Sequence, residues 1–209
     1  MDMGLERLSV MISEMASLSE KSVSTSIEAY MQSRNMAEQI HSWSEELRLL
    51  QEDVSDLGTE LIARYQPVAS DLRYIRACME ISYGFSRFGR YAYDIAEVLE
   101  MFGDLTGCDN SIVEETAKIT KEMIRMSIDA LSKRDIDLAK SIERMDDFVD
   151  EKYRTHVSKV LSERGSSENL KCNLSATLIM RYLERIADHS SYIGDSVLYI
   201  VTGQRAPRK

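Results

Sequence analysis

Residues Leu72–Ala96 align without a gap to residues Leu170–Gly194 at an offset of 98, and this repeat constrains the fold more than any other feature. Along it Leu72/Leu170, Ile81/Ile179, Phe85/Leu183, Phe88/Ile186 and Ile95/Ile193 keep their apolar character, and Arg87/Arg185 is shared. A second correspondence joins Ser26–Ile40, "SIEAYMQSRNMAEQI", to Ser127–Ile142, "SIDALSKRDIDLAKSI", with one residue inserted. The chain reads as one unit written twice.

That unit is helical. Leu5, Leu8, Ile12, Met15 and Leu18 fall at helical spacing and predict a first helix reaching about Tyr30. A second is expected from about Asn35 to Tyr65 on Ile40, Trp43, Leu47, Leu50, Val54, Leu57 and Leu61, ending before Pro67. A third runs from about Ser70 to Met101 and stops at "MFGDLTGCDN", the most turn-like stretch of the chain. With two prolines and nine glycines in 209 residues, long helices meet few breakers, and no useful alternating strand pattern occurs. The expected class is all-α: two tandem, pseudo-symmetric three-helix bundles, residues 1–105 and 106–209. Each is expected to bury its stripes against its own neighbours.

A net charge of −9 argues against a general nucleic-acid binder, which needs a basic footprint. No window approaches 18 uninterrupted apolar residues, so no direct membrane span is expected. Asp2, Glu6 and Arg7 precede any apolar run, unlike a signal peptide. Cys78, Cys108 and Cys172 are odd in number and form no CxxC pair. They read as reduced, small core residues of a soluble cytoplasmic protein.

The chemistry gathers in the second half. Asp146 and Asp150 stand four apart on the middle helix with Asp147 between them, and Glu184 and Asp188 stand four apart on the third. Like charges at that spacing repel by roughly 0.2–0.5 kcal/mol per pair. If the two helices are antiparallel neighbours, four or five carboxylates converge, a donor set for a hard or borderline cation. The plain alternative is local pairing. Arg181 lies three before Glu184, Arg185 three before Asp188, and Arg154 four after Asp150.

The first half serves as an internal control. Glu184 and Asp188 correspond to Ser86 and Arg90, while Asp146 and Asp150 correspond to Ser44 and Arg48 at an offset of 102. Both acidic pairs change together, as two walls of one site would. Arg48 and Arg90 are expected to pair with Glu52 and Asp94, each four residues on. A sharper alternative joins the two arginines in an anion site.

Together "LRYIRACMEIS", "RFGRYAYDIAEVL", "ARYQPVASDLRYI", "ERMDDFVDEKYR" and "RYLERIADHSSYIGDSVLYIVTG" resemble the paired motifs of the PhoU family of phosphate-signalling regulators. The resemblance covers nearly the whole chain. It implies two pseudo-symmetric three-helix bundles, commonly forming a homodimer. It also implies E(D)xxxD motifs that hold metal, most often iron, with zinc, manganese or magnesium as alternatives. On this sequence those motifs fall on Asp146, Asp150, Glu184 and Asp188, with Asp147 as an extra candidate. Ser44, Arg48, Ser86 and Arg90 depart from the pattern, which leaves one site or cluster in the second half. The implied function couples a phosphate ABC transporter, through its ATPase subunit, to a sensor histidine kinase. Two other classes are considered: a metal-dependent phosphoester hydrolase, and a purely structural helical dimer module.

Nothing else in the sequence carries catalysis. His41, His156 and His189 are too scattered for a zinc site, and His189 points about a quarter-turn away from Asp188. Trp43 and the twelve methionines read as packing. Gly84 and Gly89 are suited to close helix approach where the acids are missing. Gly203 reads as a helix stop before a basic, disordered tail.

Overall fold

The computed structural model describes residues 1–162 and 167–205. Among the described residues six helices follow in order: α1 (Asp2–Met31), α2 (Ala37–Tyr65), α3 (Ala69–Phe102), α4 (Ser111–Lys133), α5 (Ile136–Ser162) and α6 (Ser167–Thr202). The breaks fall where local chemistry puts them. Gln66 turns left-handed at φ 45°, because Pro67 disfavours the helical region for the residue before it. Gly103, at φ 68°, closes α3 by donating its N–H to the Leu99 carbonyl at 2.8 Å. Asp135 Oδ1 accepts the backbone N–H groups of Asp137 and Leu138 at 3.0 Å and so caps α5. Gly203 ends α6 as expected, at φ 73°. Residues 206–209, the basic end of the tail, lie outside the described residues.

Within each triplet every helix packs on the other two. The triplets meet through α3 and α6, which run antiparallel. Tyr91 stacks on Tyr182 with centroids 6.4 Å apart, Gly84 faces Ile193, and Gly203 lies against Arg73. This differs from two self-contained bundles. The main core runs through both triplets, from Leu8 and Ile40 through Phe85 and Phe88 to Ile179 and Leu183. The reason lies in α3, whose apolar residues cover more than one stripe: Ala77, Cys78, Ile81, Phe85, Phe88, Ala92 and Ile95 are all fully buried. A helix apolar on that much of its surface must be covered from two sides.

The two glycines of α3 do what their placement suggests. A Cβ at Gly89 would stand 2.6 Å from Leu47 Cδ1 and 3.3 Å from Ser44 Cα, so α2 and α3 nearly touch there. A Cβ at Gly84 would meet Ile193 of α6 at 3.2 Å. Gly89→Val is therefore expected to cost about 1–3 kcal/mol by overpacking, read as a lower urea midpoint with an unchanged m-value.

The cysteines correct the expectation of three reduced core thiols. Cys108, in the link between α3 and α4, is bonded to Cys172 of α6, 64 residues away, with the Cα atoms 5.4 Å apart. The packing of α6 along α3 brings them together. Only Cys78 behaves as the buried core residue foreseen, its thiol pushed up to about 11 by burial.

Candidate functional site: the acidic seam between α5 and α6

The seam is antiparallel. His156 of α5 meets Thr177 of α6 at 3.1 Å, and Gly194 of α6 lies against Ala139 and Ile142 of α5. That register sets Asp146 and Asp150 opposite Glu184 and Asp188. Glu184 is the most enclosed, at 9% exposure, while Asp188, Asp150 and Asp146 are half-buried. Asp147 is exposed, because one residue along a helix rotates the side chain by about 100°.

The pairs share an electrostatic environment. Burial raises the Glu184 carboxyl above the usual range, the neighbouring Asp188 raises it further, and Arg181 and Arg185 pull it back. Asp150 raises it too, from the other helix. Asp188 is likewise held up by burial and by Asp150, against Arg185. The α5 acid and the α6 pair thus sense one another's charge.

Arginines hold these acids. Arg181 Nη1 donates to both Glu184 oxygens at 2.7 Å, Arg185 Nη1 donates to Asp188 at 3.2 Å, and Arg154 Nη2 to Asp150 at 3.0 Å. Arg181 also lies over the Tyr153 ring, 5.7 Å from its centroid. Among the described residues no three His, Cys, Asp or Glu side chains form a ready metal cage. The donor chemistry, all carboxylate oxygen, suits a hard or borderline cation, but such an ion must displace Arg181 and Arg185 from their carboxylates.

The seam extends one step further than the sequence motifs mark. Asp195, seven residues beyond Asp188, is held above its usual range by burial and by the charge of Glu143, seven residues before Asp150. A seven-residue step keeps to one helix face, and that is the signal that locates the pair.

In the first half Ser44 is buried and Ser86 half-buried, and α2 closes onto α3 at Gly89. Arg48 bonds Glu45 at 3.0 Å and Glu52 at 2.6 Å, and Arg90 bonds Asp94 at 2.9 Å. The two arginines pair along their own helices, as the four-residue spacing led one to expect. His189 is drawn into an aromatic cluster, with ring centroids 5.9 Å from Tyr83, 5.9 Å from Tyr91 and 5.5 Å from Tyr192. Burial, with Arg87 and Arg185 nearby, lowers its pKa to about 4, so it is neutral at physiological pH.

Fold and seam together define a class: a tandem-repeat helical scaffold with an acidic seam on one repeat. The family model described as "PhoU domain" matches twice, at residues 12–99 and 113–197. The chain belongs to the PhoU family. It is 31% identical over 207 residues to the phosphate-specific transport system accessory protein PhoU homolog of Clostridium acetobutylicum, covering 96% of this chain and 94% of that one. The Synechocystis homolog of the same description is 27% identical over 208 residues, covering 98% and 92%. The crystal structure of PhoU from Pseudomonas aeruginosa superposes with a TM-score of 0.88 at 25% identity, covering 97% of this chain and 99% of that one. PhoU from Streptococcus pneumoniae shares the fold, with a TM-score of 0.89 at 21% identity and 99% of both chains covered.

Proposed function

We propose that this chain is a non-enzymatic regulator of phosphate uptake, acting as an accessory adaptor of a phosphate ABC transporter. The observation that carries the reading is the double match of the PhoU domain across both repeats, with relatives named for the phosphate-specific transport system. Those names describe accessory proteins and no catalysed reaction, which sets the phosphoester-hydrolase alternative aside. The finer reading has the helical faces of a cytoplasmic homodimer dock on the transporter's ATPase subunit, on a sensor histidine kinase, or on both. No helix among the described residues is long and apolar enough to cross a membrane, so contact with the transporter falls to these faces.

Within this reading the second-half acids take up a metal ion, with iron first in order and zinc, manganese or magnesium as alternatives. Glu184, Asp188 and Asp150 are the ligands, and Asp146 supports them. Glu184 and Asp188, which burial and the charge of neighbouring carboxylates hold above their usual range, gain from a cation that replaces single-charged arginines. Bound there, the ion joins α5 to α6 and stiffens the face presented to the partner. Exposed on the outer side, Asp147 is the weakest candidate.

Complementation tests the function. A strain lacking this chain should fail to shut off phosphate-starvation transcription in phosphate-rich medium, and the wild-type chain should restore it. Glu184→Ala/Asp188→Ala, expressed at equal level, should restore it incompletely. Unaltered regulation on deletion removes the phosphate assignment, and full rescue by the double variant removes the acids from it.

A further inference from the structure

The Cys108–Cys172 bond ties the link between the two repeats to the second turn of α6. We propose that this pair is a reversible thiol–disulfide site, oxidised by a small-molecule disulfide of the glutathione type, and that reduction releases the first turns of α6. This inference does not depend on the metal reading.

Access separates this pair from the third cysteine. Cys108 and Cys172 are both half-buried, within reach of a small thiol, whereas Cys78 is 1% exposed and its thiol is raised by burial. The two ends of the bond also differ in what else holds them. On the linker side Leu105 is fully buried, its N–H donates to Ser33 Oγ at 3.0 Å, and Cys108 N–H donates to the Leu105 carbonyl at 3.1 Å. The linker therefore stays seated without the bond. The start of α6 is held more lightly. Leu170 is 55% exposed and Leu174 44%, and Lys171 Nζ donates to the Asp104 carbonyl at 2.7 Å, joining this stretch to the linker. From Ser175 and Ala176 onward one face of α6 is buried, with Ile179, Met180 and Leu183 fixed in the core. Breaking the sulfur bond thus loosens the α6 start and leaves the seam at Glu184 in place.

The exchange is balanced. One cysteine thiolate attacks a sulfur of the oxidised small disulfide, forming a mixed disulfide and releasing one small thiol. The second thiolate then attacks the protein sulfur of that mixed disulfide and releases the second. Two electrons pass from the protein pair to the small disulfide, and the two thiol protons leave with the two small thiols. Excess small thiol reverses both steps.

The test equilibrates the full chain with mixtures of reduced and oxidised glutathione, quenches with acid, then alkylates under denaturing conditions for mass measurement. Three cysteines with one bond give one adduct when oxidised and three when reduced. The population should pass from three adducts to one as the oxidised share rises. Amide exchange in residues 169–175 should be at least tenfold faster in the reduced form, and unchanged in residues 179–187. Cys108→Ser/Cys172→Ser should show the fast exchange at every glutathione ratio. Three adducts in pure oxidised glutathione overturn the site. One adduct in excess dithiothreitol without denaturant makes the bond a permanent staple and overturns reversibility. Equal exchange in the two forms overturns the release of α6.

Discussion

Replacing Arg181 and Arg185 together by alanine should destabilise the metal-free protein by about 2–4 kcal/mol and tighten its hold on a divalent cation. The first effect follows from what the guanidiniums neutralise. Glu184 is nearly enclosed, its carboxylate takes both of its short contacts from Arg181, and Asp188 and Asp150 already oppose its charge. Removing one partner of a fully buried ion pair costs about 3–5 kcal/mol, while exposed pairs contribute under about 1. With 36% of its side chain exposed Arg181 lies between these limits, and so does the expected loss. The second effect follows from competition, since the same oxygens serve arginine or metal. Chemical denaturation in chelator measures the first effect. Titration with manganese, followed by calorimetry, measures the second, with at least a tenfold gain in affinity expected. A variant destabilised in chelator but no tighter for the ion shows that the arginines and the ion do not share those oxygens.

Phe85→Ala should remove about 3–5 kcal/mol, a large share of the stability of an ordinary domain. Phe85 is fully buried in α3, edge-on to Phe88 with centroids 5.9 Å apart. It sits next to Gly84, where α3 presses on Ile193 of α6. Because one core crosses both repeats, the loss should appear as a single cooperative transition at lower urea. Two separated transitions, with only one displaced, would show that the repeats unfold independently.

How far the sequence carries is visible in particular residues. The ends of α2 and α3 were legible because Pro67 and Gly103 act on the backbone within a residue or two. The local pairing of Arg48 and Arg90 was legible because a four-residue step fixes the reach of a side chain on its own helix. The convergence expected if the two acid-bearing helices are antiparallel neighbours is met in part, with Asp150 within electrostatic reach of Glu184 and Asp188. The continuous core was not legible. Periodicity reports which face of a helix is apolar, whereas the number of neighbours covering it depends on how α3 and α6 dock. The Cys108–Cys172 bond escaped for the same reason, since a separation of 64 residues carries no pattern until the triplets are joined. Glu143 and Asp195 stand outside the i,i+4 motifs, and the seven-residue step that places them on the same faces as Asp150 and Asp188 shows their pairing only once the seam is packed.

The central claim is that the second-half carboxylates hold a metal ion in exchange for arginine. The most direct measurement is elemental analysis of the purified protein, before and after loading with iron, beside Glu184→Ala/Asp188→Ala. The account predicts iron, zinc or manganese in the parent at a near-stoichiometric level, and at least a tenfold loss in the variant. Equal metal in both, or none in either after loading, would contradict it and leave Arg181 and Arg185 as the permanent partners of these acids.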